Sequence, residues 1–273
     1  MPWQPLDTDM PRMPASNDSR PLGQTAPGKG PCLIRQEPES EMCDRPYYQV
    51  ARLDFPALKA ELAVLPDSSL CVARVYGLDI ESSRALTGLG FRKMCVQTLF
   101  ATGLAGHQPD LTALPVVDLD LDEDSLNRHA SNFRFSNFSF DPNFSTEAWA
   151  KCNRWCIKRH LADHTAFKFA LKSGFVSFRV GEGKAIIDLI SVLEARQGIG
   201  AALMAKVLDF CAAQGLAWVE VVTDCENLTA CLFYQKMGFL LFGSIGVFHF
   251  HQSARQRTRG SKGVQHGRSF SHS

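Results

Sequence analysis

The chain has 273 residues, is 45% hydrophobic and carries a formal net charge of +1 at pH 7. That length can bury one good core or two small ones, and so balanced a charge gives no global pull toward nucleic acid or a membrane surface. Nine cysteines, an odd number without metal-ligand spacing, read as the reduced thiols of a cytoplasmic protein, and no apolar run approaches the ~20 residues of a membrane span.

Residues 1–45 are rich in Pro, Gly, Ser and Asp and poor in apolar side chains, so they cannot offset their ordering entropy and are expected to be disordered. A start at Met42 is the alternative. From Leu70 to Tyr76 the chain alternates like a strand, Ile80 to Leu89 fits a short helix, and Gly90-Phe91 opens a second strand that runs to about Ala101. The segment 130–144 then alternates phenylalanine with polar residues. Phe133, Arg134, Phe135 and Asp141 read either as a pocket wall, with rings stacking on a sugar or base and ions gripping hydroxyls or phosphate, or as a Phe-rich core segment. An amphipathic stretch follows from Thr146 to about His160, in which Cys152 and Cys156, one helical turn apart, point to packing rather than metal binding.

A strand from Ala185 to Val192 comes next and breaks into the turn Gln197-Gly198-Ile199-Gly200-Ala201, which opens a helix to Gln214 with no charge in its first turn. Glycines without Cβ let a pyrophosphate approach the backbone, and the free N–H groups and positive dipole end of the helix can receive it. An ordinary tight strand-to-helix turn is the bland alternative. A β-branched run, Trp218 to Thr223, precedes a helix led by Asn227, carrying Tyr234 and ending in Gly238-Phe239, and two more apolar runs close the ordered part. Asp224 stands where a dinucleotide-binding fold would keep its ribose-binding acid, yet the third glycine of that fingerprint would fall at Leu203 and no room remains for further βα units. Residues 252–273 read as a disordered basic tail. The strand, helix, Gly-Phe, strand order also occurs twice: placing Gly90 on Gly238 puts Asp79 on Asn227 and Leu86 on Tyr234, so the earlier copy keeps the scaffold without the polar residues.

The glycine turn and the Asn-led, Tyr-bearing helix ending in Gly-Phe, in this order and spacing, resemble the GNAT acetyltransferase superfamily. Its acetyl-CoA signature begins with Gln or Arg, where this chain has Ala195, so only one side-chain contact departs. The resemblance implies an α/β (α+β) GNAT fold: a mixed central sheet flanked by helices, with a degenerate GNAT-like half-domain over 46–108 and a catalytic domain over 109–251. It implies acetyl-CoA as co-substrate, bound by Ile190, Ser191, Val192, Gln197, Gly198, Ile199, Gly200, Ala201 and Asn227, and no metal. Amides of Ile190 and Val192, where the strand splays from its neighbour, would receive the oxyanion. Tyr234 matches the family's general acid, and Asn227 would cap its helix, bond the pantetheine arm, or both.

The N-terminal half and the segment around Arg134 look like the TDP-fucosamine acetyltransferases and related nucleotide-amino-sugar N-acetyltransferases. That likeness implies a nucleotide-linked amino sugar of the TDP-4-amino-dideoxyhexose type as acceptor, made in the cytoplasm for envelope polysaccharide, held by Phe133, Arg134, Phe135 and Asp141, with neither nucleic acid nor membrane as partner. A peptide or protein N-acetyltransferase and a non-catalytic CoA-binding scaffold are the rival readings. The base is open among a water relay, which ranks first, Asp188, Asp141, His129, His160 and His164, and oligomeric state is open, a homodimer included.

Overall fold

A computed structural model describes residues 30–110 and 121–253, apart from Lys172 and Ala195. In chain order the elements are β1 (Leu33–Arg35), α1 (Glu37–Cys43), β2 (Tyr47–Val50), α2 (Phe55–Ala63), β3 (Leu70–Tyr76), α3 (Ile80–Gly88), β4 (Arg92–Gly103), α4 (Glu123–Asn132), α5 (Thr146–Ala162), β5 (Phe167–Leu171), β6 (Gly174–Gly181), β7 (Lys184–Val192), α6 (Ile199–Ala213), β8 (Trp218–Asp224), α7 (Leu228–Lys236) and β9 (Leu240–His251). All nine strands lie in one mixed sheet, ordered β1-β2-β3-β9-β4-β8-β7-β6-β5. One face is covered by α2, α3, α6 and α7, the other by α1, α4 and α5.

The two β-α-β units noticed in the sequence are built alike. Asp79 caps α3 by accepting the Ser82 N–H at 2.9 Å, and Asn227 caps α7 by accepting the Ala230 N–H at 3.2 Å. Each helix ends on a left-handed glycine, Gly90 at φ 95° and Gly238 at φ 85°. Each then closes with the same six-residue bond: Phe91 N–H to the Leu86 carbonyl at 3.1 Å, Phe239 N–H to the Tyr234 carbonyl at 3.0 Å.

The units interlock. The second strand of each lies beside the first strand of the other: β9 pairs antiparallel with β3, β4 pairs antiparallel with β8, and β4 and β9 pair with one another at the centre. The shift that puts Gly90 on Gly238 puts the Tyr76–Ile245 pair onto the Asp224–Gln97 pair. It also puts Gln97 on Ile245, and these two face each other, so a pseudo-twofold axis passes between them. The flanks continue the relation, since β2 runs parallel to β3 as β7 runs parallel to β8.

Four sequence expectations change. The expected boundary at residue 108 runs through a continuous sheet, because β4 from one side of it pairs with β8 from the other. Residues 33–43, expected to be disordered, form β1 and α1. Glu61 of α2 anchors β1 by accepting the Cys32 and Leu33 N–H groups, each at 2.8 Å, and Met42 is core, so the alternative start there would delete β1 and most of α1. Gln252, placed in the tail, is buried and bonded to Ser69 and Ser68 through its backbone. The two final apolar runs are one strand, β9. The remainder of both terminal expectations, residues 1–29 and 254–273, and the departure at Ala195 lie outside the described residues.

Candidate active site

The parallel pairing of β7 with β8 covers only Lys184–Ile187 against Trp218–Val221, although β7 runs on to Val192 and β8 to Asp224. Past Ile187 the strands part. Just there β7 carries an extra residue, Asp188, opposite the Ser177–Phe178 step of β6, and such a bulge increases twist and bends the strand away. On the β6 side the Leu193 N–H reaches the Ser173 carbonyl at 3.0 Å. Counting back along the antiparallel ladder, where bonded and non-bonded pairs alternate, Ser191 faces β6 while the backbone groups of Ile190 and Val192 face the gap. These are the two amides expected to receive an oxyanion.

At the open end of the gap lies the glycine turn. Arg196 and Gly198 both take left-handed conformations, φ 67° and 75°, and Gly198 is the N-cap of α6 with no side-chain cap. The first N–H groups of a fifteen-residue helix therefore stay open to a ligand. Ile199 is buried and pins the turn to the core, so it can offer only backbone, whereas Gln197, Gly198 and Ala201 are exposed. At Gly200 a Cβ would meet Phe233 at 3.5 Å and Val192 at 3.7 Å, ordinary contact distances. Nothing in the chain's own packing therefore demands glycine at 200, while the backbone demands it at 198.

Tyr234 hangs from α7 into the core, 4% exposed, its ring centroid 5.8 Å from Phe100, 5.4 Å from Phe233 and 5.9 Å from Phe239. Burial pushes its phenol up, so it stays protonated well above neutral pH. Asn227 does act as the cap, and its amide also donates to Thr223 Oγ1 at 3.4 Å.

On the opposite face α4 clamps the splayed end of β7. His129 Nδ1 lies 2.8 Å from Ser191 Oγ, and Asn132 Nδ2 donates to the Val192 carbonyl at 3.1 Å. His129 and Asn132 are three apart and share one side of the helix. In turn Asn153 of α5 donates to the Ala130 and Phe133 carbonyls at 3.4 and 2.6 Å, tying down the end of α4. The sequence reading named Ser191 only for its place on the strand and His129 only as one of several histidines, and it passed over Asn132. A histidine and an asparagine at this spacing on a polar helix were the available signal.

The expected acceptor pocket does not assemble. Phe133 packs among Leu126, Ala130 and Ile157, Arg134 is exposed, and Phe135, 39% exposed, touches Phe140 at 6.4 Å between centroids. Asp141 turns inward to 1% exposure, where one carboxylate oxygen accepts from His249 and His251, both at 2.7 Å, and the other from the backbone and side chain of Asn143, both at 2.9 Å. Asn137 reaches the other nitrogen of His249 at 3.0 Å. Burial pushes the Asp141 carboxyl up, but the bonds from the two histidines outweigh it and hold the group below the ordinary carboxylate range. It is a satisfied buried anion and cannot also grip a substrate. These three side chains are the one group among the described residues that could surround a metal ion, but 2.7 Å is the length of a shared hydrogen, whereas ligand atoms ~2.0–2.1 Å from one zinc in tetrahedral array stand well over 3 Å apart.

Of the carboxylates considered as base, Asp188 is taken by a two-bond pair with Arg179 at 2.8 and 2.5 Å. Asp224, at the end of β8 across the gap, is buried, pushed up by desolvation, and has Oδ1 without a hydrogen-bond partner.

The strands β7 and β8 part with backbone groups of Ile190 and Val192 turned into the gap, and the gap runs into an uncapped helix N-terminus, a geometry that can receive an anion. Residues 132–239 match the model of the acetyltransferase (GNAT) family. A 56-residue stretch is 39% identical to the uncharacterised protein YxbD of Bacillus subtilis (strain 168), covering 20% of this chain and 35% of that one. Among solved structures, the chain is similar to a functionally unknown conserved protein from Staphylococcus epidermidis ATCC 12228, at 13% identity and TM-score 0.49 over 84% of this chain and 94% of that one. It is similar also to a GCN5-related N-acetyltransferase from Sphaerobacter thermophilus, at 16% identity and TM-score 0.45 over 72% and 64%.

Proposed function

We propose that the protein is an acetyl-CoA-dependent N-acetyltransferase whose acceptor is the amine of a nucleotide-linked amino sugar. The observation that carries the reaction type is the gap beyond the Ile187–Val221 pair, with the backbone of Ile190 and Val192 turned into it. A thioester carbonyl held there would have its developing oxyanion met by N–H groups that need no reorganisation. The donor's phosphates would lie on the N–H groups after Gly198, and Tyr234 would return a proton to the leaving thiolate. Its raised pKa keeps the proton in place until the thiolate forms.

The sugar acceptor is favoured by the exposed pair Arg134 and Phe135 just beyond α4, where a cation and a ring edge suit a phosphate and a base. Among the described residues no helix is long and apolar enough to cross a membrane. The test is release of free CoA thiol from acetyl-CoA against a panel of nucleotide amino sugars and basic peptides. Turnover confined to the sugars is expected; turnover confined to peptides would overturn the acceptor, and acetyl-CoA binding without turnover of any amine would favour a scaffold.

A further inference from the structure

We propose that His129, oriented by Ser191, is the base that takes the proton from the acceptor amine. The assignment rests on the acetyl-transfer reading above and adds to it the group that composition and spacing leave open. The donor's phosphates are held at α6, on one face of the sheet, so the amine must reach the gap from the other face, which α4 and α5 cover. His129 stands on that face. It is bonded to Ser191, the residue between the two whose amides face the gap, and Asn132 fixes the same turn of α4 to the Val192 carbonyl. The ring lies edge-on to Phe175 of β6, centroids 4.9 Å apart, which leaves little freedom to rotate.

This role requires one tautomer. If Nδ1–H donates to Ser191 Oγ, the Nε2 lone pair is free, and Nε2 has no hydrogen-bond partner among the described residues. Burial holds the imidazole below its ordinary pKa, with Arg128 of the same helix pushing the same way; β6 presents Phe175 and β7 presents Ser191, and neither carries a charge. The ring is therefore neutral and able to accept a proton at neutral pH. Asp188 is already paired with Arg179 and Asp141 with two histidines, so neither competes.

The proton balance closes. The ammonium group gives one proton to Nε2, and the neutral amine attacks the thioester carbon, whose π pair moves to the oxygen facing Ile190 and Val192. Collapse breaks the C–S bond; the thiolate takes a proton from Tyr234, the acylated nitrogen returns one to the phenolate, and His129 releases its own to water.

In the rate-versus-pH test, wild type should show an acidic limb in kcat/KM. His129→Asn, whose amide can still donate to Ser191 but offers nothing at Nε2, should lose about 10²- to 10⁴-fold and the limb with it, while acetyl-CoA affinity by calorimetry stays the same. Ser191→Ala should keep the limb with a smaller loss. Full turnover in folded His129→Asn, or disappearance of the limb in Asp224→Asn instead, overturns the assignment. Nitrogen NMR of the wild-type imidazole bears on it without any turnover: an Nδ1–H tautomer is expected, and an Nε2–H tautomer overturns it even if the protein proves to be an acetyltransferase. Absence of turnover in wild type with the expected tautomer would count against the acetyl-transfer reading instead.

Discussion

The two halves of the sheet share a scaffold and differ wherever chemistry is needed. In the C-terminal half the strand-to-helix turn is Gln197-Gly198-Ile199-Gly200, left-handed at Gly198 and uncapped. At the matching turn of the N-terminal half, between β2 and α2, Asp54 caps the helix by accepting the Ala57 N–H at 3.1 Å, and Pro56 occupies the first turn. The side chain there fills the place a phosphate would take, and proline removes a donor. Leu86 replaces Tyr234 and Asp79 replaces Asn227 at helix positions of the same geometry. Capping, glycine closure and strand register are common to both halves, while the uncapped glycine turn and the buried phenol occur in one. The N-terminal half supplies β4, the neighbour without which β8 would be an unpaired edge.

The largest effect that would sharpen this contrast is on Tyr234. Tyr234→Phe keeps the ring among Phe100, Phe233 and Phe239, deletes only the proton, and should lower turnover by about 10²- to 10⁴-fold with a near-native melting temperature. Unchanged turnover would leave Tyr234 as packing, like Leu86.

A smaller effect separates the two turns. Gly198→Ala forces a Cβ into a left-handed conformation and should cost about 1–2 kcal/mol of stability. Asp54→Ala loses a cap and should cost about 0.5–2 kcal/mol. Similar losses of stability should come with opposite outcomes for the ligand: weaker acetyl-CoA binding by calorimetry for the first, none for the second. Weakened binding in Asp54→Ala would break the comparison.

The smallest expected effect concerns the cluster near the centre of the sheet. His249 is held below its ordinary pKa by burial, the bond to Asp141 opposing only in part, and Asp141 is held below its own. In both cases the unfolded chain binds more protons than the folded one at pH values between the folded and unfolded pKa. Stability is thus full above about pH 6.5 and is lost as pH falls, first through His249 and then, below about pH 4, through Asp141. Thermal midpoints measured from pH 7 to pH 4 should decline, and Asp141→Asn should flatten the lower part of that decline. A midpoint that rises on acidification contradicts the neutral state of His249.

Much of the site was legible in the sequence because it consists of local backbone demands. Gly198 is needed where φ is positive, Asn227 where a helix begins, Gly238 where it ends, and each is satisfied within a few residues of chain. The doubled unit was legible for the same reason, and the shift inferred from Gly90 and Gly238 is the one the strand register obeys. Asp141 as part of an acceptor wall misled because alternation of Phe with polar residues has the same appearance whether the polar groups face a ligand or the core, and Asp141 met two histidines from a strand more than a hundred residues away. Sequence by itself determined the fold class, the glycine turn that opens α6 and the repeated unit, since short-range sterics and capping decide them. Only the tertiary structure decided that the halves exchange strands, that β7 and β8 part after Ile187, and that His129 lands on Ser191. Those depend on which distant surfaces bury one another, and no local preference of the chain encodes that.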